Sequence, residues 1–296
     1  MPPTKKSLRR RPSRTKKRLQ SKRKPLLNTA FGTARCHPAV MKDGSPVKNC
    51  IPATVLEKLG AVSDTAALAA ATANKEELLQ KYFRPAKPNS WDTDPDMWLD
   101  NTNIDAVLRQ YQEAYPWFKF LGVFPIDFSV KDPYASEKRC LAPVLCDLDL
   151  QAEMKAGTKA IGIIYNLDPH YKEGSHWVAN FIDLRDMKPA IYYFDSYGEP
   201  APKYIKLFME ELWRRAPMTA KPLLAYNARR FQYGDSECGM YSTYFIVAML
   251  QGVGFRKFVR HPVPDREMIR LRNVFFFDSD GSGGGVQKHN IRTLLK

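Results

Sequence analysis

The chain has 296 residues, enough for one sizeable core or a main domain with a smaller appendage, and its composition is that of a soluble globular protein. No apolar run approaches the ~20 residues a membrane span needs, and no apolar stretch follows the basic start, so neither a membrane span nor a cleaved signal peptide is expected. Five cysteines, at 36, 50, 140, 146 and 238, form no CxxC pair and leave an odd thiol, which argues against a disulfide framework and for a reducing compartment.

The net charge of +15 is concentrated at one end: residues 1–24 hold twelve Lys or Arg and no acid, leaving 34 basic against 31 acidic residues beyond. Such a tail cannot bury enough apolar surface to fold, so residues 1–25 are expected to be disordered and drawn to polyanions such as DNA. A nuclear address would have the same composition. Cys36, His37 and Cys50 offer three metal ligands, but no fourth lies at a usual spacing, so no metal is expected.

Residues 26–97 read as an N-terminal helical arm and linker. The Ala-rich VSDTAALAAATANKEELLQKYF has helical composition and ends near Arg84-Pro85, and Pro85, Pro88 and Pro95 make a linker. At Trp98 the character changes. In WLDNTNIDAVLRQYQEAY, Ile104, Val107, Leu108 and Tyr111 recur at i, i+3, i+4 and i+7, which predicts an amphipathic helix with Asn101 or Asn103 as its cap. IGIIYNL (161–167), HWVANFIDL (176–184) and AIYYFDS (190–196) are short, β-branched or aromatic, and bounded by turn residues, so they read as neighbouring strands of one sheet. PKYIKLFMEELWRRA (202–216) places Ile205, Phe208, Met209 and Leu212 at helical spacing behind Pro202. LLAYNARRF (223–231) predicts another strand. It leads into FQYGDSECGMYSTYF (231–245), where a polar turn gives way to an amphipathic helical run. A late helix is expected over 265–276, then a Gly-rich tail over 278–296. Helix and strand are mixed rather than regularly alternating, so residues 98–277 are expected to form an α+β domain with a mixed central sheet flanked by helices.

Cys238 stands where the polar turn becomes helix. A thiol at a helix N-terminus meets unpaired N–H groups and the positive end of the helix dipole, which favour the nucleophilic thiolate. A cysteine nucleophile also needs a base, a group that orients the base, and donors for the oxyanion. His176 opens one predicted strand and Asp195 closes the next, so adjacent strands can hold imidazole and carboxylate side by side. Gln232 lies six residues before Cys238, and its amide can serve the oxyanion together with the Cys238 backbone N–H. Taken singly, each is an ordinary core, turn or surface residue.

His176-Trp177, then Asp195, then Gln232-x5-Cys238-Gly239 resembles the ubiquitin-like-protein-specific protease superfamily, which includes SUMO-deconjugating enzymes and the adenovirus maturation protease. Trp98-Leu99-Asp100-Asn101 is similar to the family's motif at the start of its catalytic domain, with Asp and Asn exchanged. Within the superfamily the polyprotein-processing proteases of large nucleocytoplasmic DNA viruses, such as that of African swine fever virus, look most similar. Asn166 ten residues before the histidine, Glu237-Cys238-Gly239, and KFVRHPVPDREMIRLRNVFFF carry this likeness. The orienting Asp195 departs from the asparagine of the African swine fever enzyme and follows the wider family.

The resemblance implies a cysteine endopeptidase that cuts viral precursors after Gly-Gly, in virions and host cytoplasm, without a cofactor. Catalysis would fall to Cys238, His176, Asp195 and Gln232, and Trp98, Trp177 and Asn166 would line the substrate's path. Two alternatives remain: a protease removing SUMO or ubiquitin-like modifiers, and a DNA-binding virion protein built on a protease scaffold. The string Gly281-Ser282-Gly283-Gly284-Gly285-Val286 is itself a Gly-Gly-X sequence, open to self-trimming.

Overall fold

A computed structural model describes residues 35–40, 48–132, 139–185, 189–217 and 221–277. The basic segment 1–25 and the Gly-Gly-X string lie outside the described residues. The first described part is a small helical unit of α1 (Ala53–Lys58), α2 (Asp64–Ala70) and α3 (Lys75–Tyr82). Cys36, Cys50, Ile51, Leu56, Ala67, Tyr82 and Phe83 form its own apolar core. Asp64, buried at the head of α2, accepts hydrogen bonds from the Cys50 and Ile51 amides at 2.9 and 3.0 Å and from Arg35 Nη2 at 2.9 Å.

This unit corrects the expectation of unpaired thiols. Cys36 is disulfide-bonded to Cys50 and Cys140 to Cys146, with Cα atoms 5.1 and 6.8 Å apart, and Cys238 is the free thiol. Pairing depends on how closely the backbone brings two Cα atoms together, which spacing along the chain does not reveal. Nor can Cys36 and Cys50 serve a metal while bonded to each other. His37 has its Nδ1 occupied by the Ala39 amide at 3.1 Å, and burial, with the Arg84 charge added, lowers its pKa to about 4. Among the described residues no cluster of three His, Cys, Asp or Glu side chains could hold a metal, and no helix is long and apolar enough to cross a membrane.

The segment after α3 packs against the body. Trp91 is buried and meets Phe276 edge-on at 4.9 Å, the Phe277 amide donates to Pro85 O at 3.0 Å, and the Lys87 amide donates to Phe277 O at 2.8 Å. Next comes α4 (Asn101–Ala114). Its cap is Asp100, not Asn101 or Asn103. Asp100 Oδ1 accepts the Asn103 amide at 2.7 Å, and the Asn103 side chain returns a bond to the Asp100 amide at 3.2 Å, a reciprocal capping box.

Five strands make one sheet: β1 (Phe118–Pro125), β2 (Ala160–Asn166), β3 (Trp177–Asp183), β4 (Ala190–Phe194) and β5 (Leu223–Tyr226). They lie in sequence order, parallel in the two outer pairs and antiparallel in the two inner ones. The fold is therefore α+β with a mixed central sheet. β1 is the strand the sequence reading passed over, and the predicted strand over 223–231 stops at Tyr226. β2 and β3 are buried along almost their whole length because helices cover both faces. On one face lie α5 (Pro143–Cys146), α6 (Leu150–Lys155) and α7 (Lys203–Arg215), packing Leu145, Leu150, Ile205 and Leu212 against Ile163, Tyr165 and Val178. The other face carries α4, α8 (Cys238–Leu250), α9 (Phe255–Arg260) and α10 (Asp265–Phe275) over Phe181 and Phe194.

The helix expected to be amphipathic, α8, is buried on every side. A helix apolar all round belongs in an interior. It lies between β3, α4 and α10, and Cys238 is its first residue.

Candidate active site

His176 immediately precedes β3 and Asp195 immediately follows β4. The antiparallel register Ala179↔Phe194 sets the two strand ends side by side. His176 Nε2 donates to Asp195 Oδ1 at 2.7 Å, with both side chains buried. The other ring nitrogen is not used by Asp195, and the Cys238 thiol lies near enough to the imidazole to act on its protonation. The structure thus brings three of the predicted residues into one chain of contacts, Cys238 to His176 to Asp195.

The loop between β2 and β3 fixes where the imidazole sits. Asn166 Oδ1 accepts the Asp168 and Ser175 amides at 2.9 and 3.2 Å, the Leu167 amide donates to His176 O at 2.9 Å, and His170 Nδ1 pairs with Asp127 Oδ2 at 2.7 Å. The half-buried Asn166 therefore spends its carbonyl oxygen on closing this loop. Gly174 makes the closure possible, since its φ is +107° and a Cβ there would lie 2.2 Å from Asn166 Nδ2.

Residues not singled out from sequence complete the frame. Tyr197, opposite His176 when the β3–β4 register is continued, stacks on the imidazole at 4.6 Å and 13°, and its amide donates to Asp195 Oδ1 at 2.8 Å. Asn227, fully buried just beyond β5, accepts the Asp195 amide at 2.9 Å and donates to Asp195 O at 2.6 Å. The Asp195 carboxylate is therefore held by its own backbone as well as by the histidine. An Asn immediately after a strand is too common a turn signal to have marked this role.

Gln232 is buried. Its Oε1 accepts the Ser196 hydroxyl at 2.7 Å and its Nε2 donates to Gly234 O at 2.8 Å. An amide nitrogen has two hydrogens, so one remains for an oxyanion. Ser196 O also accepts the Phe231 and Gln232 amides at 2.7 and 2.9 Å, so one residue links the carboxylate strand to the oxyanion loop.

Trp177 donates from Nε1 to Leu99 O at 2.8 Å, and its carbonyl accepts the Ser242 hydroxyl of α8 at 3.0 Å. The indole touches the space above Gly239, where a Cβ would come within 3.2 Å of Trp177 Cδ1. Trp98, next to Leu99, is 44% exposed whereas Trp177 is 8% exposed. Of the two tryptophans, one is fixed against the nucleophile helix and the other faces solvent.

Burial acts to lower the pKa of His176. Hydrogen bonds to Asp195 and Cys238, with the charges of both, outweigh it and raise the value from 6.5 to about 9. Because the folded value exceeds the unfolded one, the stability gained from this pairing is complete below about pH 6.5 and is lost as pH rises through about 9. The proton concerned is the one an imidazolium gives to a leaving amine. The kcat/KM profile is accordingly expected to fall on the alkaline side with a limb near pH 9, and Asp195→Asn should bring that limb down towards neutrality. A pH–rate profile of both proteins checks this.

A buried thiol paired with an imidazole, a carboxylate orienting that imidazole, and an amide beside them define the class: a thiol protease. Comparison with known proteins leads to the same class. Residues 157–282 match the Ulp1 protease family, C-terminal catalytic domain. A protein of Acanthamoeba polyphaga mimivirus named a thiol protease is 32% identical over 206 residues, covering 68% of this chain and 63% of its own. A protein of African swine fever virus named SUMO-1 cysteine protease is 30% identical over 189 residues, covering 60% of this chain and 67% of its own. The chain thus spans a little under two thirds of the mimivirus relative. A crystal structure of an African swine fever virus protease superposes with a TM-score of 0.65 at 21% identity, over 86% of this chain and 99% of that one, which shows a shared fold. The chain belongs to the Ulp1 family of cysteine proteases.

Proposed function

We propose that this chain is a viral cysteine endopeptidase that cleaves structural precursor proteins after Gly-Gly during virion maturation. Cys238 attacks the scissile carbonyl, His176 takes the thiol proton and returns a proton to the leaving amine, and Asp195 holds the imidazole in the donating tautomer. Gln232 and the Cys238 amide at the start of α8 receive the oxyanion. The chemistry calls for no metal or organic cofactor.

The observation that carries the reading is how little room the nucleophile leaves. Cys238 is 1% exposed and Trp177 packs beside it over Gly239. A substrate residue without a side chain suits such a passage, and bulkier ones are excluded by it. Trp98 stands at the exposed end of the same Leu99 link and would cover the chain as it enters. Asn166, opposite Trp177 across β2 and β3, would offer its amide nitrogen to the substrate. The action is proposed for virions and the host cytoplasm, where the basic residues 1–24 would tether the enzyme to DNA through counterion release.

A second reading, removal of a ubiquitin-like modifier, is favoured by the SUMO-1 protease name of the African swine fever relative. Peptides of the form Gly-Gly-X and a ubiquitin-like modifier fused through Gly-Gly separate the two. The expected result is cleavage of the peptides after the second glycine, abolished by a thiol alkylator, with the fusion cut no faster than the peptides. A fusion cleaved orders of magnitude faster would transfer the assignment to the second reading, and no cleavage of either would end both.

A further inference from the structure

The residue before the nucleophile is a buried acid, and its charge is answered from a distant helix. Glu237 is 2% exposed and Arg272, on α10, is 4% exposed. Arg272 Nη2 and Nε reach Glu237 Oε1 and Oε2 at 2.7 and 3.3 Å, a two-pronged pair. The same guanidinium donates from Nη1 to Met97 O at 2.7 Å and lies over the Trp91 ring at 4.5 Å. Glu237 occupies the N-cap position of α8 yet makes no side-chain bond to the helix amides. Its carboxylate is committed to Arg272 instead.

The other end of α10 holds the same loop. Asp265 Oδ2 accepts the Tyr233 and Gly234 amides at 3.0 and 2.9 Å, immediately after Gln232. Two points on one helix thus clamp the oxyanion side and the nucleophile side of the 232–238 loop. The Asp265 clamp reaches on to the Tyr241 hydroxyl of α8, and the Arg272 clamp reaches Trp91 and Met97, one residue before Trp98.

We propose that Arg272 is a positioning residue that fixes Cys238 relative to the 91–98 segment, so that the thiol and the tryptophan at the substrate's entrance are set in register by one guanidinium. The proposal rests on Cys238 being the nucleophile. A buried ion pair adds little net stability compared with apolar replacements, whereas breaking it on one side is costly. Retention of this pair beside the reacting atom therefore fits a geometric role better than a stabilising one.

Arg272→Lys and the neutral double variant Glu237→Gln/Arg272→Met test it, with wild type and Cys238→Ala as references. The readouts are the Cys238 alkylation rate with iodoacetamide, kcat and KM on a Gly-Gly-X peptide, and Tm. Arg272→Lys keeps the charge but loses the fork and the Met97 contact. It is expected to lower kcat and the alkylation rate about tenfold or more with KM nearly unchanged, since small misplacements of a reacting group cost up to ~10²-fold. The double variant should melt close to wild type and still show the lowered kcat. Normal kcat and alkylation in a stably folded double variant would overturn the proposal, as would losses that merely follow Tm. If no protein cuts the peptide but alkylation slows as described, the positioning role stands and the Gly-Gly reading falls.

Discussion

Replacing Cys238 by alanine is expected to abolish cleavage of Gly-Gly-X peptides, while each of the other four cysteines changed singly to serine leaves the active-site geometry in place. The asymmetry follows from position. Cys238 is the free thiol and stands beside His176, whereas Cys36, Cys50, Cys140 and Cys146 are disulfide-bonded in pairs. His176→Ala removes the base and should cost ~10²–10⁴-fold in kcat, because positioned proton transfer contributes about that much. Peptide turnover by equal amounts of each variant, followed by mass spectrometry of the products, checks the order. Substantial turnover by Cys238→Ala would remove the mechanism altogether.

Gly239→Val is expected to be nearly as damaging although it touches no reacting atom. A Cβ at residue 239 would lie 3.0 Å from Leu99 Cβ, 3.2 Å from Trp177 Cδ1 and 3.5 Å from Ile104 Cδ1. Leu99 and Trp177 are tied to each other by a 2.8 Å hydrogen bond, so neither yields cheaply. The first turn of α8 has to move instead, and Cys238 moves with it. Overpacking of this kind costs ~1–3 kcal/mol in stability, and displacement of the nucleophile adds a loss of up to ~10²-fold in kcat. Gly239→Ala should show the same defect in milder form. Thermal melts run beside the kinetics separate the two effects, and a Gly239→Val protein with wild-type kcat would show that the glycine is not needed for the close approach.

The residues proposed to do the chemistry were legible because each stands at the end of a recognisable element. His176 opens a strand, Asp195 closes the next, and Cys238 begins a helix after a polar turn, so their convergence follows once the strands pair. Gln232 was legible through its spacing from the cysteine. The residues that hold them were not. Asn227, Ser196 and Arg272 act across separations of 32, 36 and 35 residues along the chain, through contacts that only the folded backbone creates. The same holds for the disulfides. β1 escaped notice because FKFLGVFP carries a glycine and ends in proline, and its register shifts beside Gly122, so the alternation expected of a strand is broken. The reading of α8 as amphipathic failed because its serine, threonine and tyrosine hydroxyls suggested a wet face. In the fold Tyr241 Oη lies 2.7 Å from Val263 O and the Ser242 hydroxyl bonds Trp177 O, so these two hydroxyls are satisfied inside, while the Thr243 hydroxyl is buried without a partner among the described residues.

A helix with no solvent-facing side cannot fray on its own. Its amides are released only when the surrounding domain opens, so the reacting thiol shares the lifetime of the whole fold. Whatever movement admits a substrate under the proposed function must then come from exposed side chains such as that of Trp98, because the β2–β3 loop holds His176 and Arg272 holds the backbone at Met97. Rigidity and adaptability are thereby assigned to different walls of one passage.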